Sequence, residues 1–286
     1  MYATSVVAAR VAFEDGANTA TVVTLRCLWA AIAIGLFIRI NESVSNPGAG
    51  RRGTTVRERW IFLALGIIFA INVYAFYRAV ELLKVPLAIL TFYVYPLMTG
   101  GLSTLAGLDR FNPRTIGFAL LSLAGLALAT GAAPEAVNPL GVVLALVSGA
   151  VIAFLLVITT RYLNHVDAQR RTFWMMVSTS SLLLITTLGT GAVVLPKSST
   201  GWWAMAVVCG LYAIGLVSLF TSASRIGPLR TALMMNLEPV IAIALSMLVL
   251  GQGLTLPQFA GGALVIAGVV GAQLAKAPVA AAPARA

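Results

Sequence analysis

Charge is what this sequence has least of. Charged residues fill 10% of the 286 positions, where a water-soluble domain carries about a quarter. Hydrophobic residues make up 59% and the mean hydropathy is +0.95, more apolar surface than an aqueous fold can hide, so the chain reads as an integral membrane protein. His165 is the single histidine, which excludes a multi-histidine metal cluster. The two cysteines, Cys27 and Cys209, cannot form a four-thiolate zinc site. Both fall in apolar runs, where free cysteine packs between helices rather than forming a disulfide. The chain has no Gly-x-x-x-x-Gly-Lys-[Ser/Thr] loop, so it does not itself consume nucleotide. No metal or cofactor is expected. An intramembrane lipid-modifying enzyme or protease would need paired acids for magnesium or a serine–base pair within the bilayer, and none is spaced that way.

What is there in abundance is apolar sequence in runs near the roughly 20 residues a helix needs to cross a bilayer. Ten such segments stand out: 1–13, 18–39, 60–78, 85–106, 113–131, 139–160, 172–190, 202–221, 228–250 and 256–275. They predict an all-α membrane protein of ten transmembrane helices. The first is short, so either Met1 is a late start or the helix has lost a turn or two. It carries Arg10 and lacks the basic leader and small-residue cleavage site of a secretory signal.

Of the 19 Lys and Arg residues, fourteen fall in the connections 39–59, 110–114, 161–171 and 225–230 and in the tail. Three (Arg78, Lys84 and Lys197) fall on the opposite side, and Arg10 and Arg26 lie within helices. The positive-inside rule then places both termini in the cytoplasm. The net charge of +10 is accounted for by topology rather than by nucleic-acid binding. Arg51, Arg52, Arg57 and Arg59 are placed to meet anionic membrane lipids.

The prolines expose an internal repeat. Pro86, Pro96 and Pro113 are matched by Pro228, Pro239 and Pro257 at offsets of 142, 143 and 144 residues. Tyr95-Pro96-Leu97-Met98 aligns with Glu238-Pro239-Val240-Ile241, and Ala124-Gly125 with Ala267-Gly268. Residues 1–131 form one five-helix repeat, 132–138 a linker, 139–275 the second repeat and 276–286 an Ala/Pro-rich tail. Five is odd, so the second copy enters the bilayer from the other side and the repeats are inverted. That architecture puts a binding site near the bilayer midplane.

Pro86, Pro113, Pro139, Pro228 and Pro257 mark helix starts. Pro96 and Pro239 fall midway along their helices, where each removes a backbone hydrogen bond and kinks the chain. Polar residues gather at both kinks: Thr91, Tyr93 and Tyr95 before Pro96, Asn236 and Glu238 before Pro239. Glu238 is the one acid deep in an apolar run. Its carboxylate must be protonated, paired or wetted. Three roles stand open for it: contact with a substrate amine or cation, proton coupling, or a structural acceptor at the kink. Arg10 is a candidate for an anionic group in a cavity or for helix glue, and Arg26 for an interfacial anchor. Tyr74 shares a helical face with Tyr77 and Glu81. Tyr93 and Tyr95 lie too deep for a belt role and, with Tyr212 and Phe220, are candidates to wall a pocket for an organic molecule. Asn72 is a buried amide open to glue or ligand roles. Gly125, Gly131, Gly261, Gly262, Gly268 and Ala272 thin the fifth and tenth helices for close internal packing.

In this order, Val7-Ala8-Ala9-Arg10, Thr24-Leu25-Arg26, Tyr95-Pro96 and Leu237-Glu238-Pro239-Val240 resemble the EamA branch of the drug/metabolite transporter superfamily across essentially the whole chain. Two positions depart from that family. Where its members carry Gly-Glu-Arg, this chain has Leu108-Asp109-Arg110 and Gly251-Gln252-Gly253, and the second has lost both charges.

The resemblance implies an exporter of amino acids, metabolites or drugs in the bacterial inner membrane. It also implies that Arg10, Asn72, Tyr95 and Glu238 stand near a central cavity. The expected partners are a small organic solute, membrane lipids and, as a candidate coupling ion, protons, with the chain a monomer or homodimer and not an enzyme. A phosphorylated-sugar or nucleotide-sugar exchanger shares the fold, but it would want more cationic contacts than Arg10 and Arg26 supply.

Overall fold

A computed structural model describes residues 2–44, 54–83, 85–109, 112–130, 138–241 and 255–275. All regular structure among the described residues is helical. The helices are α1 (Tyr2–Glu14), α2 (Thr19–Val44), α3 (Val56–Leu82), α4 (Val85–Phe92), α5 (Tyr95–Leu105), α6 (Pro113–Thr130), α7 (Pro139–Tyr162), α8 (Ala168–Gly189), α9 (Ser199–Ile226), α10 (Pro228–Met235) and α11 (Leu256–Leu274). Residues 237–241 are helical again after a turn at Asn236. Gly251-Gln252-Gly253, Arg110, the side chain of Arg10, residues 132–137 of the linker and the tail from 276 lie outside the described residues.

Among the described residues, six segments are long and apolar enough to cross a bilayer: Thr19–Ile40, Val56–Phe76, Leu87–Leu105, Pro139–Tyr162, Ala168–Gly189 and Ser199–Ile226. Two shorter apolar helices, Pro113–Ala129 and Leu256–Ala272, accompany them. The outward side chains suit lipid rather than water. Leu36, Phe37 and Ile40 of α2 are more than half exposed, as are Ile185 and Leu188 of α8, and water would not tolerate so continuous an apolar surface. Trp60, Trp202 and Trp203, exposed near the starts of α3 and α9, suit the membrane–water interface.

The helix starts follow from local chemistry. Thr55 and Glu58 form a capping box at α3: the Thr55 N–H donates to Glu58 Oε2 at 2.7 Å and the Glu58 N–H to Thr55 Oγ1 at 3.3 Å. Asn138 accepts from the Leu140 N–H at 3.0 Å ahead of Pro139, and Asp167 accepts from the Gln169 N–H at 2.9 Å at α8. Glu58 also meets His165 Nε2 at 3.0 Å, which ties the connection before α8 to the start of α3.

The helices group into two compact units. One is built from Met1–Val73 and Asn164–Thr221. Within it α2 runs along α8, held by Thr24 and Thr187, whose hydroxyls are 2.8 Å apart. Ser178 and Thr179 of α8 donate to the Leu63 and Gly66 carbonyls of α3, both at 2.7 Å. A Cβ on Gly66 would fall 2.2 Å from the Met175 carbonyl oxygen, so glycine is required for that approach. Arg171, counted above with a connection, lies one turn into α8 and is 1% exposed. It is a buried charge that basic-residue counting could not separate from a loop residue.

The turn after α1 clasps the segment before α9. Asp15 Oδ2 accepts from the Lys197 and Ser198 N–H groups at 2.8 Å each, Asn18 Nδ2 donates to the Ala192 carbonyl at 2.8 Å, and the Val194 N–H donates to Thr21 Oγ1 at 2.9 Å. Gly16, at φ +99°, supplies the left-handed residue this turn needs. The hydrogen bonds from Ser198, followed by the nearness of Lys197, hold the Asp15 carboxyl below the ordinary aspartate range. With the folded value depressed, the clasp contributes fully above the unfolded value of about 3.9 and is lost as pH falls through the folded one. Asp15→Asn should therefore melt below wild type at neutral pH, with the gap closing on acidification. A gap constant with pH in thermal melts would contradict the clasp.

The second unit is built from Tyr74–Leu163, Ser222–Ile243 and the chain from Gly251. Its longest seam is α6 against α11. A Cβ on Gly261 would lie 2.4 Å from the Ala129 nitrogen and 2.5 Å from the Gly125 carbonyl oxygen, and one on Gly268 would lie 2.7 Å from the Ser122 nitrogen. Gly125, Gly261 and Gly268, among the small residues noted in the sequence, thus bring two backbones into contact inside this unit. Helices α4 and α5 lie on α7, where Gly149 admits the Phe92 carbonyl.

Candidate functional site

The second unit contains two interrupted helices that bond to each other. The first interruption is the turn at Tyr93 and Val94 between α4 and α5. Pro96 brings no N–H, so the Phe92 carbonyl loses its donor four residues on. A Cβ on Gly149 would sit 3.0 Å from that oxygen, so α7 approaches the break closely. The second interruption is the turn at Asn236, three residues before Pro239. There the Asn236 N–H donates to the Leu233 carbonyl at 3.1 Å rather than to that of Ala232. The Ala232 carbonyl instead accepts from Tyr95 OH at 3.2 Å. Leaving that buried carbonyl bare would cost about 1–3 kcal/mol, so one broken helix supplies what the other lacks.

The second cross-bond engages Glu238. Tyr93 OH donates to Glu238 Oε2 at 3.1 Å. Tyr93 and Tyr95 are buried, Glu238 is half-buried, and a phenol donor helps a carboxylate persist in an apolar setting. Aromatic rings surround the phenols: Phe92 lies 5.5 Å from Tyr93, 5.2 Å from Tyr95 and 5.0 Å from Phe76, centroid to centroid. Asn236 is buried and donates through Nδ2 to Ser122 Oγ of α6 at 2.9 Å.

Tyr93, Tyr95, Asn236 and Glu238, with the kink prolines Pro96 and Pro239, are therefore neighbours or near-neighbours in one unit. Tyr212 and Asn72 are buried in the other unit. There the Arg26 guanidinium lies 4.5 Å over the Tyr212 ring, a cation–π contact, and the Cys27 thiol lies 3.9 Å from the Tyr212 hydroxyl. Tyr74 is 63% exposed and lies outside the ring cluster; Phe76, two residues on, contributes the α3 ring instead. Phe76, Phe92 and Ser122 went unassigned in the sequence. Apolar rings and a lone serine in apolar helices carry no polar signal of their own.

Together, lipid-facing helices of spanning length and two helices broken at polar residues define a multi-pass membrane protein of the transporter class. The chain belongs to the EamA-like transporter family, whose profile matches residues 1–131 and 139–273. It is similar to an uncharacterized transporter of Archaeoglobus fulgidus, 28% identical over 210 residues that cover 73% of this chain and 74% of that one. A solved crystal structure at 19% identity has the same fold, with a TM-score of 0.78 over 96% of this chain and 94% of the other. Transport is thus the function of the family, and a small solute its substrate.

Proposed function

We propose that the chain is a secondary carrier that moves a small amino acid or amine-like metabolite out across the bacterial inner membrane by alternating access. The observation that carries this reading is the Tyr93–Glu238 hydrogen bond between two interrupted helices. A carboxylate held among phenols and rings offers an ammonium group both charge and cation–π contact. Tyr95 and Asn236 complete the proposed set of solute-contacting residues within this unit, with Pro96 and Pro239 as kinks; Arg10, Asn72, Tyr74 and Tyr212 stand as the further candidates the sequence offers.

The interruptions support two inverted repeats, 1–131 and 139–275. The turns at Tyr93 and Asn236 stand 143 positions apart, the same offset as Pro96 and Pro239. Such repeats furnish the two alternating halves of many carriers. The distribution of basic residues supports ten crossings with both termini cytoplasmic, and protons are the coupling ion of this reading.

Counterflow into proteoliposomes tests it. Vesicles preloaded with amino acids or amines should take up trace labelled solute of the same class through the purified chain. Uptake no faster than protein-free vesicles across the panel would overturn the reading.

A further inference from the structure

At the start of α3, in the first unit, a cation from one helix is stacked on an indole from another. The Arg59 guanidinium carbon lies 5.3 Å from the centroid of the Trp174 ring of α8, and Phe173 meets that ring edge-on at 5.1 Å. The two helices are joined just below, where Ser178 and Thr179 donate to the Leu63 and Gly66 carbonyls. Stacking on an indole holds a guanidinium in place and leaves its in-plane N–H groups open to an acceptor.

That acceptor does not come from the described residues. Arg59 is exposed, and among those residues its guanidinium has no carboxylate or hydrogen-bond partner. The acid beside it in sequence is engaged elsewhere: Glu58 Oε2 accepts from the Thr55 N–H at 2.7 Å and Oε1 lies 3.0 Å from His165 Nε2. The half-buried Trp174 likewise has no acceptor for its indole N–H among the described residues.

Next to Arg59 round the helix, Trp60 is 68% exposed, and the same outward stripe continues through Ile67 and Ile71, each 49% exposed. Helical rise carries that stripe about 16 Å from Trp60 to Ile71, close to the roughly 15 Å of hydrocarbon in one leaflet. A cation at the membrane edge, an indole at the interface and an apolar strip below it match, in order, the phosphate, glycerol esters and acyl chain of a phospholipid. Charge selects among phospholipids, because a zwitterionic headgroup brings a cation of its own beside its phosphate and an anionic one does not. We propose that Arg59 and Trp174 hold the headgroup phosphate of an anionic phospholipid at the junction of α3 and α8, with an acyl chain along Trp60, Ile67 and Ile71. The site depends on α3 and α8 meeting lipid and not on the carrier reading.

The test is thermal melting of the purified full chain in detergent with added dioleoylphosphatidylglycerol or an equal concentration of dioleoylphosphatidylcholine. Phosphatidylglycerol is expected to raise the wild-type Tm by about 2–5 °C over phosphatidylcholine. Arg59→Gln should need about fivefold more phosphatidylglycerol for the same rise, the share of one arginine near a lipid surface. Trp174→Leu keeps the charge but frees the guanidinium, and should need about two- to fivefold more. Arg57→Gln removes the same charge two positions away, on a different face of α3, and should titrate as the wild type does. An equal rise with phosphatidylcholine, an equal rise with inorganic phosphate and no lipid, or an unchanged titration in Arg59→Gln or Trp174→Leu would overturn the site. So would an equal loss in Arg57→Gln and Arg59→Gln, which would mean diffuse attraction to the basic surface. The wild-type comparisons of the two lipids and phosphate require no variant to fold.

Discussion

Glu238→Gln is expected to cut transport of an amine-bearing solute by about 10- to 150-fold, the equivalent of one charge-assisted hydrogen bond of about 1.5–3 kcal/mol. Glutamine keeps an oxygen to accept from Tyr93 OH, now 3.1 Å from Glu238 Oε2, so the link between the two broken helices survives and the thermal stability should change little. What disappears is the negative charge. Initial rates of counterflow for an amine and for a neutral analogue measure the effect, which should fall on the amine alone. If Glu238 also carries the coupling proton, the variant retains downhill exchange and loses uphill transport driven by a pH gradient. Wild-type rates in both assays would reduce Glu238 to a structural acceptor for the kink.

The second large effect concerns folding. Gly261→Val should largely prevent assembly of the α6–α11 seam. Even a Cβ at this position would meet backbone, 2.4 Å from the Ala129 nitrogen and 2.5 Å from the Gly125 carbonyl oxygen. Backbone atoms of a packed helix cannot rotate aside as a side chain can, so the two helices must separate along the seam. Overpacking costs about 1–3 kcal/mol where side chains can yield, and valine against a rigid backbone should exceed that range. Folded yield by size-exclusion chromatography and Tm in detergent report it. Gly262→Ala is the matched control, since its Cβ would meet only Val240 Cγ1 at an ordinary 3.5 Å. Its yield and Tm should stay near wild type. Equal losses at the two positions would mean that the seam is not the constraint.

These two residues mark what could be seen in the sequence. Glu238 stood out because an acid in an apolar run has no cheap explanation, and Pro96 and Pro239 located the interruptions because proline chemistry is local. The helix segments were legible for the same reason, since length and hydropathy need no tertiary information. Facing was not. In lipid the outer surface of a helix is as apolar as its packed one, so periodicity loses its power to tell in from out. Tyr74 illustrates this: it lies on an exposed stripe of α3 with Ile67, Ile71 and Arg78, while its neighbours Asn72, Val73 and Ala75 are buried. Arg171 escaped notice because a charge one turn inside a helix reads like a charge just outside it. The bonds from Asp15, Asn18 and Thr21 to residues 192–198 join positions more than 170 residues apart, which no local pattern announces.

The inverted repeat is the claim on which the carrier mechanism depends most, and labelling from the two sides of the membrane tests it most directly. Thr54 and Lys197 occupy equivalent places in the two halves, 143 residues apart. In a background where Cys27 and Cys209 are replaced, single cysteines at Thr54 and at Lys197 should react with a membrane-impermeant maleimide from opposite faces, Thr54→Cys from the cytoplasm and Lys197→Cys from outside. Labelling of both from the same face would contradict it.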